Sequence, residues 1–173
     1  MSAYLENASV FRTAKGGGPA PTGPAVLVLR RRPDFDRRDF DRKARDLKRL
    51  GERGKLSKTK PNRTTVYDKT TGKMRSRTNV FRDRIIRKLT RTSKRYQDNK
   101  SLVQRLYGGK KSVTGPGQGL DPDHVHELQL GGADTYRNLR LVDSWTNREL
   151  GREISQALKD VPIGTKVIVK VVP

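Results

Sequence analysis

The residues best suited to chemistry lie close together in the last third of the chain. They are the run Asp123-His124-Val125-His126-Glu127-Leu128-Gln129-Leu130-Gly131-Gly132, then Asn138-Leu139, then Asn147-Arg148-Glu149-Leu150-Gly151. Asn138 follows His124 by 14 residues and Asn147 follows Asn138 by 9. Both separations suit a hairpin folded onto a helix. A neutral imidazole can take up a proton near neutral pH, and carboxylate and carboxamide oxygens suit hard divalent cations. Hydrolysis of a phosphodiester needs those functions together: a base to activate water, a cation to stabilise charge on the phosphate and the leaving oxygen, and a frame to fix the geometry. The chain has no cysteine and only two histidines, His124 and His126. Disulfides and thiolate metal sites are therefore excluded, and a zinc centre of several imidazoles is disfavoured.

In order and spacing these residues resemble the HNH, or ββα-metal, nuclease signature: an Asp-His or His-His pair at a first strand, a Gly-rich turn, Asn-Leu at a second strand, and a His or Asn on the following helix. The resemblance implies His124 as general base, Asn138 as the residue that orients the base and its loop, and Asp123 and Asn147 as oxygen ligands of one divalent metal. Oxygen donors favour Mg²⁺, with Mn²⁺ next and Zn²⁺ less favoured; family members with a histidine pair at this place tend to hold zinc or nickel. Gly151 lies one turn after Asn147, at a cost of about 1 kcal/mol relative to Ala in a helix, so packing or room for the phosphate is expected to demand it. His126 would share a strand face with His124 and is open to three readings: support for the site, contact with substrate, or a satisfied core histidine. Asp134 reads as a hairpin-shaping residue and Trp145 as core.

Within the superfamily, Asp123–Gly151 with Ile154, Leu158 and Pro162-Ile163-Gly164-Thr165 is similar to C-terminal nuclease domains of bacterial polymorphic toxins. This implies an endonuclease of low sequence specificity acting on DNA rather than RNA, used in interbacterial competition and neutralised by a cognate, acidic immunity protein. The chain carries no targeting signal of its own, so it would be secreted or delivered as part of a larger toxin and act in the target-cell cytoplasm. Three alternatives stay open: an RNase toxin with metal-free, histidine-based acid–base chemistry, a non-catalytic basic nucleic-acid-binding protein, and an HNH enzyme of a defence system or mobile element that cuts at specific sequences.

Around the motif, charge is distributed unevenly. The chain of 173 residues has a formal net charge of +21, which points to a polyanionic partner, nucleic acid first. Residues 1–115 hold 32 Lys and Arg against 10 Asp and Glu, whereas residues 116–173 hold 7 against 8. No run approaches the ~18 apolar residues of a spanning helix, and the chain is not expected to insert into membranes. The expected fold is α+β: a flexible or extended segment over 1–32, a basic, mainly helical region over 33–115, and a ββα-metal nuclease core over 116–173. Ala25–Leu29 reads as an edge strand or, equally, as an extended lead-in to the first helix. Apolar spacing predicts helices over Asp34–Leu50, Asn79–Tyr96 and Ser101–Tyr107, an irregular stretch over 51–78, strands over Val125–Leu130, Leu139–Val142 and Thr165–Val172, and a helix from about Ser144 to Lys159. On the second of the basic helices, Arg84, Arg87, Lys88 and Arg91 are the candidate nucleic-acid contacts.

Overall fold

A computed structural model describes residues 1–6 and 23–173. Half of the segment expected to be flexible or extended over 1–32, residues 7–22, therefore lies outside the described residues. The chain is α+β. Strands β1 (Ala3–Leu5), β2 (Ala25–Arg30) and β7 (Val167–Val172) form one sheet in the order β1-β2-β7, with β1 and β2 antiparallel and β2 and β7 parallel. Helix α1 (Arg37–Glu52) packs against β7. A β3–β4 ribbon (Thr65–Asp68, Lys73–Ser76) leads into helices α2 (Arg77–Leu89), α3 (Ser93–Asp98) and α4 (Lys100–Gly108). Strands β5 (Leu120–His124) and β6 (Leu139–Asp143) form an antiparallel pair followed directly by α5 (Ser144–Ala157).

The expected edge strand is central. Leu27, Val28 and Leu29 are wholly inaccessible, because a run that is apolar on both faces is stable only between neighbours. Residues 1–32 thus contribute two sheet strands instead of an extended arm alone. The main core joins Leu27 and Leu29 to Phe40 and Leu47 of α1, Leu56, Leu130, Ile154 of α5 and Val167 of β7, so it draws on all three expected segments. A second, smaller cluster of Ile86, Leu106 and Leu120 holds α2 and α4 against β5.

Local signals explain most boundaries. Asp36 caps α1 by accepting from the Asp39 backbone N–H at 2.9 Å, and its Phe40, Ala44, Leu47 face is buried as the spacing predicts. The helix predicted over Asn79–Tyr96 is instead α2 followed by the short α3, since the Thr92 side chain caps a new start at Arg95 N–H. The stretch read as irregular holds the β3–β4 ribbon, whose outward residues are exposed and so lack the apolar alternation of a half-buried strand. Helix α5 begins at Ser144, as its spacing predicts. Asp143 is the cap, accepting from Thr146 N–H at 3.0 Å and Thr146 Oγ at 2.8 Å.

The largest correction concerns the first strand of the hairpin. It runs over Leu120–His124, not Val125–Leu130, and His124 is its last residue, opposite Leu139. Beyond it the Asn138 side chain takes the place of a strand partner: Oδ1 accepts from His126 N–H at 2.9 Å, and Nδ2 donates to the His126 and Ala133 carbonyls at 2.9 and 2.8 Å. The chain then turns through Leu128–Leu130 as a 3₁₀ turn, closed by Gly131 at φ 97°. At Gly132 a Cβ would overlap the His126 carbonyl, so this turn requires glycine.

Candidate active site

Strand β5, one face of α5, the ribbon base and α2 surround a cleft of about 840 Å³. His124, Asp123, Asn147 and Gly151 all line it. The structure thus brings three of the four principal candidate residues to one cavity. Asn138 does not line it; its three hydrogen bonds brace the loop that follows His124, a positioning role.

His124 is buried, 7% exposed, and its Nε2 lies 2.8 Å from Asp134 Oδ1. Asp134 is fixed in turn by the Thr64 backbone N–H at 2.7 Å and the Thr64 hydroxyl at 3.2 Å. Burial pushes the Asp134 carboxyl up, but the hydrogen bonds from Thr64 and His124 outweigh it and hold the group below its ordinary range. A carboxylate at Nε2 fixes the tautomer with the proton on that nitrogen. Nδ1, which has no hydrogen-bond partner among the described residues, is then the basic nitrogen. Asp134 does shape the hairpin, and it also orients the imidazole.

Asp123 is held by a residue of the first basic helix that type and spacing did not single out. Lys43 of α1 is buried, and its Nζ donates to Asp123 Oδ2 at 2.7 Å, to the His124 carbonyl at 2.9 Å and to Glu127 Oε1. Burial opposes the charge on Lys43, but Asp123 and Glu127 more than compensate and raise its pKa. Burial, with the neighbouring Glu127 charge, pushes the Asp123 carboxyl up against the pull of Lys43. Glu127 is held low despite its burial by Lys43 and by the Gln129 amide.

Asn147 is oriented by Asp121, a carboxylate that the sequence reading missed. Asp121 Oδ2 accepts from Asn147 Nδ2 at 3.0 Å and from Arg148 Nε at 2.9 Å, while Oδ1 accepts from Arg82, Arg148 and the Ser144 hydroxyl at 3.0, 2.9 and 2.9 Å. With its NH₂ committed to Asp121, Asn147 turns its carbonyl oxygen away from that carboxylate. Burial and the nearby Arg148 cation lower the pKa of Arg82. The alternation Asp121-Pro122-Asp123 on a strand, and Lys43 beside Ala44 on the apolar stripe of α1, are the signals that could have found these residues.

The donor types fit a hard divalent cation. Asp123 Oδ1 and Asn147 Oδ1 accept no hydrogen bond among the described residues, and both residues line one cleft. No group of three His, Cys, Asp or Glu suited to a metal occurs among the described residues, so an ion held here would depend on water and phosphate for most of its shell. Mg²⁺ tolerates that arrangement best.

His126 is not at the cleft. Its Nε2 lies 2.9 Å from the Leu130 carbonyl, and its backbone is gripped by Asn138. Because the strand ends at His124, the shared-face reading of the two histidines does not hold. Gly151 borders open space, with nothing within 4 Å of an added Cβ, so packing does not demand it. Trp145 packs against the core and donates to Asp34 at 3.0 Å. Arg84, Arg87, Lys88 and Arg91 are exposed, with the Arg84 guanidinium 4.9 Å from the centre of the Tyr136 ring.

Among the described residues no helix is long and apolar enough to cross a membrane. In comparisons with known proteins, no family model, curated protein or solved structure matches the chain.

Proposed function

We propose that the chain is a metal-dependent endonuclease of the HNH type that hydrolyses phosphodiester bonds of DNA with little sequence specificity. The observation that carries this reading is the His124–Asp134 pair, at 2.8 Å, in a cleft that also holds Asp123 and Asn147 and is walled by Arg63, Arg75 and Lys110. Asp134 keeps the proton on Nε2, so Nδ1 of His124 takes the proton from the attacking water. Asp123 and Asn147 would hold the divalent cation through oxygen; when bound, it stabilises charge on the phosphate and the leaving oxygen. Lys43 and Glu127 position Asp123, Asp121 positions Asn147, and the basic walls draw in the polyanion. The order β5, β6, α5 supports the ββα reading.

The setting of a bacterial toxin domain, delivered into a competing cell and held in check by an acidic immunity protein, is supported by the sequence resemblance and by the +21 charge, to which such a partner would be steered.

Plasmid nicking tests the catalytic reading. Wild type is expected to nick supercoiled DNA with Mg²⁺ or Mn²⁺ and to stop in EDTA, and His124→Ala to lower the rate by about 100-fold or more while still binding DNA. Equal cleavage by wild type and His124→Ala would sink the assignment. RNA products with 2′,3′-cyclic ends formed in EDTA would transfer it to a metal-free RNase.

A further inference from the structure

The proposed chemistry uses the base of the β3–β4 ribbon as a wall and leaves its outer face unassigned. In the ribbon register Thr65 opposes Ser76 and Tyr67 opposes Met74. Directly opposed residues, and every second residue along each strand, project to one side, so these four side chains share a face. Tyr67 and Met74 are 61% and 60% exposed, and the Tyr67 ring has no aromatic or cationic partner among the described residues.

That face is held rigidly. Arg75 bridges Asp68 of the ribbon at 2.9 Å and Asp83 of α2 at 2.6 Å. The Asp68 carboxylate accepts from Thr70 N–H and the Thr71 hydroxyl, fixing the turn. At the base, Thr64 is tied to Asp134, the partner of His124. The ribbon belongs to a basic stretch of the chain: residues 53–83 contain ten Lys and Arg and two acids, Asp68 and Asp83, both paired with Arg75. Lys69 and Lys73 are exposed near the turn.

An exposed Tyr–Met pair on a ribbon that carries exposed lysines at its turn and arginines at its base fits a polyanion that also offers apolar surface between its charges. A duplex groove does this, with phosphates along its rims and base edges on its floor, and the major groove, about 12 Å wide, admits a two-stranded ribbon. The ribbon is continuous with the cleft, since Arg63 and Arg75 at its base line the cavity that holds His124. We infer that the β3–β4 ribbon seats in a groove of duplex DNA beside the scissile phosphate, with Tyr67 and Met74 against base edges and Lys69 and Lys73 at the phosphates. This rests on the nucleic-acid reading above and assigns the element that grips the duplex.

Fluorescence anisotropy with the full chain and a labelled 20-bp duplex in EDTA, where no turnover is expected, tests it. Tyr67→Ser/Met74→Ser is expected to raise Kd about tenfold without changing the salt slope. Lys69→Gln/Lys73→Gln is expected to make the log–log salt slope shallower by ~2, as two fewer neutralised phosphates require. Both pairs are exposed, so melting temperatures are expected to match wild type. Duplex affinity unchanged by both double variants, or no duplex binding by wild type, would overturn the assignment and leave this face to an acidic protein. Tyr67-dependent preference for a single strand over the duplex would overturn the groove seating. Plasmid nicking by wild type and His124→Ala decides the catalytic reading separately: ribbon-dependent binding without nicking would keep this inference and remove the nuclease.

Discussion

Lys43 shows how one side chain can tie a chemical site to the fold. A lysine inside a protein must be paired or lose its charge, and this one faces two carboxylates and a carbonyl. Removing only the ammonium would leave Asp123 and Glu127 as neighbouring, unpaired anions in the interior. Lys43→Met is expected to cost about 3–5 kcal/mol of stability, read as a lower urea midpoint, and Lys43→Met/Glu127→Gln to recover part of it. A Lys43→Met chain as stable as wild type would show that the cluster is not coupled to folding. Asp134 plays the corresponding part for His124: one oxygen orients the imidazole, and the other is anchored by Thr64. Neither role follows from residue type, because Lys43 is 80 positions from Asp123 and Asp134 is 10 from His124.

Helix α2 divides its two faces between separate tasks. Val80, Arg82 and Ile86 turn inward, Arg82 to the Asp121 carboxylate, while Arg84, Arg87, Lys88 and Arg91, the last just past its end, stay in solvent. Arg84 and Arg77 flank the Tyr136 ring, with guanidinium centres 4.9 and 4.6 Å from its centroid. These interactions join the helix to the β5–β6 loop and hold part of its positive face in place. Reversing charge at Arg87, Lys88 and Arg91 to Glu is expected to weaken duplex binding and to make its salt slope shallower by roughly 0.9 for each phosphate that is no longer neutralised, with the nicking rate at saturating protein little changed. Unaltered binding in a salt titration would remove α2 from the phosphate path. A helix here and its charged face were legible from periodicity, but its end at Leu89 was not. Its inward arginine was not, because Arg82 sits on the buried face only where Asp121 and the Leu120 carbonyl receive it.

Across the molecule, the first residues and the last helix are fastened together. The Ser2 backbone N–H donates to Glu153 Oε1 at 2.6 Å and Arg32 Nη1 to Glu153 Oε2 at 3.0 Å, linking β1 and the segment after β2 to α5. Burial pushes the Glu153 carboxyl up, but the hydrogen bonds from Ser2 and Arg32 prevail and hold it below its ordinary 4.5. A group lowered on folding adds stability that is fully present above its unfolded pKa and is lost as pH falls through the folded value. Glu153→Gln is therefore expected to lower the urea midpoint at pH 7, and the gap to wild type to close progressively below about pH 4.5. A gap that persists undiminished at pH 2 would assign the loss to packing instead of charge. Since the main core takes side chains from β2, α1, α5 and β7, tryptophan fluorescence at Trp145 and far-ultraviolet circular dichroism are expected to report a single, coincident transition in the same titrations.

The candidate cluster and several of the elements near it can be read directly from the order of the residues. Residue type and spacing identify Asp123, His124, Asn138 and Asn147, and periodicity finds α1, α4, β6, α5 and β7, because each is a property of nearby residues. The end of β5, the central place of β2, the turn of His126 toward Leu130 and away from the cleft, and the hold of Lys43, Asp121, Asp134 and Arg82 on the candidate residues come from the folded chain. Apart from the local His126–Leu130 contact, these depend on partners distant in the chain. A buried charge is stable only beside its counter-charge, and a strand ends where another group takes over its hydrogen bonds. Neither condition exists until the chain has folded.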